Sequence, residues 1–356
     1  MEKQKPVKLE EIPHPAFIAR AGVIIKANEK AIKLNVKKGT PVETIIFSGL
    51  SELREFKKGR LCLSVVIDYE KYHASVFKYR SNQLLFCIDS EHICDKYVTL
   101  QTAIAPMNDP IQCAILAIEK LRKDVVLKQN PSIIALNHQL YRLTKIIADI
   151  NDSARSGKTP FYQTTKCDAI SFASEITQRT SKLFKEMSPK LKVSFDKTKI
   201  TDELHGDIDK VALERLILTT LSALLEVKAM NAPVRVNIEK KDNRMVMTFQ
   251  CKTEGKDRGE LESIFISYCN IPDALDIESD FLRGAPVIRN TITTLCGSLL
   301  IEISRGADLR FIVSIPIENR ATRPLQSNIQ IPYALTGSLD HYLTIFSELL
   351  PDSMYK

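Results

Sequence analysis

The feature that most constrains the fold is the distribution of glycine along the chain. The chain has 356 residues and 12 glycines, yet no glycine lies between Gly59 and Gly157. Glycine is favoured in tight turns because it adopts backbone conformations that strain other residues, so a long stretch without it favours regular structure. Within this stretch the apolar spacing becomes helical from Pro110, with Asp109 as a candidate N-cap. The middle of the chain is therefore predicted to be helical.

Two apolar stripes in and after this region indicate two helices that pack together. The first stripe, with spacings of four and three residues, consists of Leu136, Leu140, Leu143, Ile147 and Ile150. The second consists of Ala169, Ala173, Ile176, Thr180, Leu183 and Met187. Because such stripes need an apolar partner, an antiparallel hairpin is predicted, and two hairpins would form a four-helix bundle on dimerisation. Pro131 lacks an amide proton, so it is expected to kink the first helix or split it near Asn130.

The flanking regions alternate short β-rich runs with helical patterns. Before the helical region, strands are predicted at 17–19, 23–25, 61–67, 73–79 and 84–88. After it, a helical face at 213–221 and a second helix from about 286 to 295 accompany strands at 234–239, 245–250, 298–303 and 310–315. The predicted fold class is α+β multidomain: a small α/β unit, a helical hairpin and an α/β sandwich.

Composition and charge exclude several functional classes. The net charge is +7, but the basic residues are interleaved with acidic ones and form no stripe with aromatic residues, which disfavours nucleic-acid binding. No apolar run approaches the roughly 18 to 20 residues of a membrane span, and no signal peptide is visible, so a cytoplasmic location is expected. The eight cysteines contain no CxxC pair, which indicates free thiols. No metal-ligand spacing is present, so no metal site is predicted.

Two segments resemble parts of the sensor histidine kinases. Residues 15–18 followed by 22–31, in which Asn28 precedes a helix, resemble the opening of a PAS domain. Residues 213–224 resemble the N box of the ATP-binding (HATPase, or GHKL-type) domain. The resemblance covers about residues 13–318 and implies a PAS-like sensor domain at 13–100, a helical dimerisation hairpin at 109–188 and a HATPase-like domain at 189–319. A tail at 320–356 follows.

Most positions that match the family's ATP-binding residues hold side chains of the wrong chemistry. The N-box Asn that helps to hold Mg²⁺ falls on Ala223, and an earlier Asn falls on Thr219. A methyl group cannot ligate a hard cation. The Asp that accepts the adenine amino proton falls on Cys251, four residues before Gly255, and thiol sulfur is a weak acceptor.

The phosphate-binding loop and the phosphoacceptor are also altered. Gly284 remains of the two loop glycines, beside Arg283, which could meet a phosphate as a cation. The phosphoacceptor His falls on Glu119, and a carboxylate cannot form the phosphoramidate that phosphotransfer needs. No catalytic residue is therefore predicted. His138, about five turns away on a helix, is interpreted as a bundle histidine, and its use as a relocated phosphoacceptor remains the alternative.

These matches and losses predict a homodimeric signalling or scaffold protein, a pseudokinase relative of the histidine kinases. The resemblance implies a response regulator or a histidine kinase as partner, docked around residues 119–128. No cofactor is expected, and ATP with Mg²⁺ would bind only if residual affinity persists. A small ligand in the PAS-like domain stays open, although its apolar side chains are expected to fill their own core. The alternative function is a divergent ATP-dependent protein histidine kinase of a two-component system.

The C-terminal tail contains one more amphipathic pattern. Its stripe consists of Leu339, Tyr342, Leu343, Phe346 and Leu350. A helix this short needs to dock on another surface to be stable. The sequence leaves open whether the docking is in cis or in trans. Elsewhere, Asp207 is predicted to cap the helix that carries the N-box resemblance.

Overall fold

The computed structural model describes residues 8–80, 82–89, 108–124, 129–154, 164–187, 191–195, 203–229, 232–253, 280–303, 308–317 and 339–355. The strands are β1 (Ala16–Arg20), β2 (Val23–Ala27), β3 (Ile46–Ser48), β4 (Arg60–Ile67), β5 (Glu70–Arg80), β6 (Gln83–Asp89), β7 (Thr164–Asp168), β8 (Val193–Phe195), β9 (His205–Asp209), β10 (Val234–Lys241), β11 (Arg244–Lys252), β12 (Ser298–Ile303) and β13 (Asp308–Pro316). The helices are α1 (Glu29–Lys33), α2 (Leu50–Glu55), α3 (Asn108–Leu121), α4 (Pro131–Ala154), α5 (Ala169–Met187), α6 (Lys210–Val227), α7 (Asp280–Thr294) and α8 (His341–Ile345).

One large mixed sheet runs through the described protein, and this confirms the α+β class. Its strand order is β2-β1-β6-β5-β4-β12-β13-β11-β10-β8, with β3 paired to β4 outside this path. The pair β8–β10 is parallel, and the other pairs are antiparallel. Strands β7 and β9 form a separate two-stranded sheet.

The N-terminal unit is built by β1 to β6 with α1 and α2 packed on the sheet. As the sequence predicts, Asn28 caps α1: its side-chain oxygen accepts a hydrogen bond from the Ala31 amide at 2.9 Å and another from the Ala16 amide at 3.0 Å. The apolar residues expected to fill this core are buried and pack on one another, and the rings of Phe17 and Phe86 stack at 4.6 Å. Phe77 is the exception, since it is half-buried beneath the Arg60 guanidinium.

The N-terminal unit and the C-terminal sandwich share their sheet, a feature that local sequence patterns did not predict. Strand β4 pairs with β12 over three residues, among them Arg60 opposite Ile301. Gly59 precedes this joint with φ of +85°, and a Cβ at Gly59 would lie 2.3 Å from the Ile301 carbonyl oxygen. A glycine is required here because the two strands approach too closely for any side chain.

The helical region divides where proline predicts a break. Helix α3 ends at Leu121 and α4 begins at Pro131. At the first position of a helix the amide N–H has no partner within the helix, so the lack of this group in proline costs no hydrogen bond. The Asn130 side chain accepts a hydrogen bond from the Ser132 amide at 2.9 Å, which fixes the start of α4. The prediction of a split near Asn130 is therefore confirmed.

The two predicted apolar stripes do not have each other as principal partners. Helix α4 packs on α3, α7 and the C-terminal segment, whereas α5 packs on α6, β8 and β10 of the sandwich. In the first stripe Leu140 and Ile147 are buried, but Leu136 and Leu143 are exposed by 52% and 41%. The hairpin pairing of α4 with α5 is thus corrected to a pairing of α3 with α4, because the sandwich already covers the apolar face of α5.

The C-terminal segment docks in cis, which resolves the alternative that the sequence left open. Helix α8 begins after Asp340, whose carboxylate accepts hydrogen bonds from the Tyr342 and Leu343 amides. Apolar side chains from this segment belong to the same buried cluster as α3 to α7 and the C-terminal sheet, and they include Leu339, Tyr342, Ile345, Phe346, Leu350 and Tyr355. The segment therefore forms part of the core of the molecule.

Candidate functional site

The candidate site lies where helices α6 and α7 pack face to face. Helix α6 carries the N-box resemblance. Its N-cap is Asp209, whose side chain accepts a hydrogen bond from the Ala212 amide at 2.9 Å, so the prediction of Asp207 as the cap is wrong by two residues. Asp207 lies within β9. Burial raises the pKa of the Asp209 carboxyl despite its hydrogen bonds to backbone amides.

Three of the six predicted relics of a nucleotide pocket meet at this helix contact. Thr219 and Ala223, one turn apart on α6, are 4% and 0% exposed. Gly284 faces them from α7, where a Cβ would lie 3.2 Å from Thr219 Cγ2 and 3.9 Å from Ala223 Cβ. The surfaces in contact are methyl groups and glycine backbone, which suit close helix packing, and neither Ala223 nor Gly284 offers a side-chain carboxylate or amide oxygen to a hard cation.

Helix α7 is longer at its N-terminal end than its sequence pattern predicts. It was expected from about residue 286, yet it begins at Asp280, so Arg283 and Gly284 lie within the helix and not in a phosphate-binding loop. This is a correction to the interpretation of residues 282–285. The Arg283 side chain and the whole of Gly255 lie outside the described residues.

Thr219 brings a hydroxyl group to this contact. Its hydroxyl oxygen is buried and has no hydrogen-bond partner among the described residues. A buried hydroxyl without a partner costs free energy. This hydroxyl is the polar side-chain group at the two positions, Thr219 and Ala223, that match Asn side chains in the histidine kinases.

Cys251 lies on β11 near the C-terminal end of α6. It is 2% exposed, and burial raises the pKa of its thiol to about 12, an effect that the nearby Lys228 cation opposes. Burial in turn lowers the pKa of Lys228. At neutral pH the thiol is therefore protonated, and it provides a weak hydrogen-bonding group where the family has a carboxylate. The six described cysteines are all free.

Glu119 lies on α3, which packs against α4. It is half-buried, and its charge acts on the Tyr141 hydroxyl of α4. Burial is the main cause that raises the pKa of Tyr141, while a hydrogen bond to the Asp340 backbone and the charge of Arg122 oppose it. The position that matches the phosphoacceptor is thus part of the contact between α3, α4 and the C-terminal segment.

His138 is fully engaged by the C-terminal segment. Its Nδ1 hydrogen-bonds to the Asp352 carboxylate and its Nε2 to the Ser347 carbonyl oxygen. The ring stacks on Tyr355 with centroids 4.2 Å apart, and the adjacent Asn137 amide donates to the Tyr355 carbonyl oxygen at 2.8 Å. Both ring nitrogens already have partners within the chain, as expected of a structural histidine in a helical bundle.

A buried cluster of charged side chains lies beside the candidate site, and the sequence did not predict it. Arg215 of α6 donates to the Asp149 carboxylate at 2.5 Å and to the Asp152 carboxylate at 3.0 Å, both on α4. Arg215 and Asp149 are only 4% exposed at their side chains. Local patterns gave no signal for it, because neither Arg215 nor Asp149 lies on one of the predicted apolar stripes. The cluster fastens α4 to the helix that carries Thr219 and Ala223.

The described residues contain neither a candidate metal site nor a candidate membrane-spanning helix. No cluster of three or more His, Cys, Asp and Glu side chains within them is arranged to hold a metal ion. In the same part of the chain, no helix is both long and apolar enough to cross a membrane.

No protein-family model matches this sequence, and no curated protein matches it. Several solved structures are similar to it. Full-length ShkA in complex with AMPPNP is 14% identical with a TM-score of 0.49; the match covers 64% of this chain and 47% of ShkA, so this chain spans about half of that one. The histidine kinase ThkA in complex with the response regulator TrrA is 14% identical with a TM-score of 0.38 over 87% of this chain and 97% of ThkA. The histidine kinase AdeS of Acinetobacter baumannii is 12% identical with a TM-score of 0.38 over 59% and 98%.

Proposed function

We propose that this chain is a signalling or scaffold protein related to the sensor histidine kinases that works by binding partners and not by transferring phosphate. In this proposal the N-terminal unit is the PAS-like sensor, α3 and α4 form the dimerisation hairpin, and the sandwich is the degenerate HATPase-like domain. The C-terminal segment joins the hairpin to the sandwich.

The observation that carries the proposal is the contact between α6 and α7. A Cβ at Gly284 would lie 3.2 Å from Thr219 Cγ2 and 3.9 Å from Ala223 Cβ, so the side chains that would line a nucleotide pocket face a helix instead. At the positions where the family holds Mg²⁺ and adenine with Asn and Asp side chains, this chain has the Thr219 hydroxyl and the protonated Cys251 thiol. Preorganised oxygen ligands are what a Mg²⁺-bound triphosphate requires.

Titration calorimetry with Mg-ATP tests this proposal when it is combined with transfer of labelled phosphate. We expect no binding at millimolar nucleotide and no label on the chain. Binding together with labelling would contradict the proposal and favour the alternative, a divergent protein histidine kinase. The variant His138→Gln then shows whether His138 accepts the phosphate, since loss of label in that variant alone would identify it.

Homodimerisation is proposed through α3 and α4, which expose apolar side chains. These are Leu116, Leu121, Leu136 and Leu143, with exposures between 41% and 55%. Light scattering over a concentration series is expected to show a dimer that Leu136→Glu with Leu143→Glu dissociates. The matched control is Ile32→Glu, because Ile32 is 60% exposed on the N-terminal unit and lies far from the hairpin in sequence. A dimer that survives the double substitution would place the interface elsewhere.

The proposed partner, a response regulator or a histidine kinase, would dock on α3. Lys120 is an exposed cation on this helix, next to Glu119. Lys120→Glu is expected to weaken capture of purified response regulators or kinases by at least tenfold, whereas Lys182→Glu on the exposed face of α5 is expected to leave it unchanged. Equal loss in both variants would point to a general charge effect. A small ligand in the N-terminal unit is testable by native mass spectrometry.

A further inference from the structure

A chain of hydrogen bonds crosses from the N-terminal unit into the sandwich at His73. This histidine lies on β5, and its ring reaches helix α7. The Nδ1 atom lies 3.0 Å from the Thr293 hydroxyl, and the Nε2 atom lies 3.2 Å from the side-chain oxygen of Asn290. Thr293 also receives a hydrogen bond from the Ser64 hydroxyl of β4 at 3.3 Å. Two strands of one unit thus contact one face of a helix that belongs to the other.

The partners fix the direction of each hydrogen bond. The Asn290 amide nitrogen donates to the Asp152 carbonyl oxygen at 3.3 Å, so the Asn290 oxygen is left to accept from His73 Nε2. The ring nitrogen Nδ1 must then accept, and the Thr293 hydroxyl is its donor. The ring is neutral in this arrangement. Burial is the main cause that lowers the pKa of His73, and the cations Arg289 and Lys71 lower it further.

The chain of hydrogen bonds ends on α4. Asp152 accepts from Asn290 through its backbone oxygen, while its carboxylate accepts from Arg215 of α6 at 3.0 Å. The last turns of α4 are therefore held by α7 and α6 together. Lys71 adds a second link from β5, because its ammonium group donates to the Thr293 carbonyl oxygen at 3.3 Å.

We propose that Ser64, Thr293, His73 and Asn290 form a relay that transmits changes in the β4–β5 hairpin directly to the C-terminal end of helix α4. The route is mechanical: a shift of β5 moves α7 through the His73 ring, and α7 moves the end of α4 through Asn290. It needs neither bound nucleotide nor the peptide connection between β6 and α3. The relay therefore goes beyond the proposed function, and it stands even if the chain proves to bind ATP.

Two substitutions cut the relay at different places. Asn290→Asp keeps the oxygen that accepts from His73 and removes the amide that donates to Asp152. Thr293→Val keeps the shape of the side chain and removes the hydroxyl that serves His73 and Ser64. The matched control is Thr291→Val on the same helix, because the Thr291 hydroxyl donates to the Val287 carbonyl oxygen within α7 and takes no part in the relay.

Hydrogen exchange of the full chain, read by mass spectrometry over residues 60–77 and 147–154, distinguishes these variants. Asn290→Asp is expected to raise exchange at 147–154 about two- to tenfold, the range for loss of one hydrogen bond, and to leave 60–77 unchanged. Thr293→Val is expected to raise exchange at 60–77 and also at 147–154, although residue 293 does not itself bond to α4. Thr291→Val is expected to change neither segment.

Propagation from position 293 to α4 is the decisive result. If Thr293→Val raises exchange at 60–77 alone, the hydrogen bonds are local packing and the relay is refuted. A Thr291→Val protein that matches Thr293→Val would also refute it, because the effect would then be a general loss of stability. Should Thr293→Val fail to fold, the milder Ser64→Ala is expected to give the same two-segment pattern at a smaller amplitude.

Discussion

Gly284 of α7 lies directly against Thr219 of α6, so close that a Cβ on the glycine would be 3.2 Å from the threonine Cγ2. This distance is tighter than most side-chain contacts, so a side chain at position 284 requires the Thr219 methyl group to shift by a few tenths of an ångström.

Widening this contact is expected to destabilise the protein. Gly284→Leu should lower the free energy of unfolding by about 1–3 kcal/mol, because the larger side chain must push α7 away from Thr219 and Ala223. Urea denaturation measures the change. Lys182→Leu, at a helical side chain that is 78% exposed, is the control and should change stability by less than about 0.5 kcal/mol. A Gly284→Leu protein of unchanged stability would mean that the helices can separate and a cleft can open.

The buried cluster of Arg215 with Asp149 and Asp152 is expected to be sensitive to loss of its cation. Arg215→Met should cost about 3–5 kcal/mol of stability, because it leaves the Asp149 carboxylate buried beside no cation from α6. The double substitution Arg215→Met with Asp149→Leu should recover much of that loss. Arg54→Met breaks the exposed pair with Glu43 and should cost about 0–1 kcal/mol. Equal costs for the two single variants would contradict the assigned burial.

The C-terminal segment is expected to detach when its aromatic anchor is removed. Tyr355 is 1% exposed, stacks on His138 and meets the Tyr141 ring edge-on at 4.8 Å. Tyr355→Ala should weaken docking by about 3–5 kcal/mol and make residues 339–355 accessible to limited proteolysis. Tyr69→Ala, at a fully exposed side chain, provides the comparison. Unchanged protection in Tyr355→Ala would show that the other apolar anchors suffice.

Acid pH is expected to destabilise the protein through His341. Burial, assisted by the Arg215 cation, lowers the pKa of His341 from 6.5 to about 4. Since the unfolded chain takes up this proton first, the stability contribution of the neutral ring is intact above about pH 6.5 and is lost as the pH falls towards 4, by about 1–3 kcal/mol. His341→Gln should reduce the loss of unfolding free energy between about pH 6.5 and 4, measured by urea titrations at several pH values. The pKa of His73 is also lowered, so the His341→Gln variant should still lose some stability at acid pH, but less than the parent protein. If the unfolding free energy of parent and variant falls equally with pH, this role of His341 is excluded.

The sheet joint between the two units is expected to tolerate no side chain at Gly59. Gly59→Ala adds a methyl group 2.3 Å from the Ile301 carbonyl oxygen and should raise hydrogen exchange at 60–62 and 299–301. Gly22→Ala is a close control: Gly22 has a similar φ of +77°, but a Cβ there meets nothing within 4 Å. Both variants share a backbone strain of about 1–2 kcal/mol, and Gly59→Ala should cost at least about 1 kcal/mol more. Equal costs would indicate that the joint adjusts freely.

Local patterns were reliable where neighbours in sequence decide the structure. The predicted strands of both units, the break before Pro131 and the cap at Asn28 all occur as expected, because alternation and proline act over a few residues. The other two predicted caps are wrong, since Asp109 lies within α3 and Asp207 within β9. The start of α7 was misplaced by about six residues. Pro286 resembles a first helical position, yet the helix also includes the preceding residues, among them Gly284, which faces Thr219.

Within the candidate site, the sequence located residues but not their surroundings. Thr219, Ala223 and Gly284 were grouped by resemblance, and the structure places them together in a packed helix contact. The partners of Arg215 and His138 were not predictable, because Asp149, Asp152 and Asp352 lie between 63 and 214 residues away along the chain.

The order of amino acids alone established the longer helices and the main strands of the two units and which faces of them are apolar. It did not predict β3, β7, β8, β9 or α2. It could not establish what covers each apolar face, because periodicity reports that a surface is buried without naming the surface that buries it. Tertiary packing assigned α5 to the sandwich, joined β4 to β12, brought the C-terminal segment onto His138 and closed α7 over Thr219. These choices depend on contacts between residues far apart in the chain, where shape and charge must fit simultaneously.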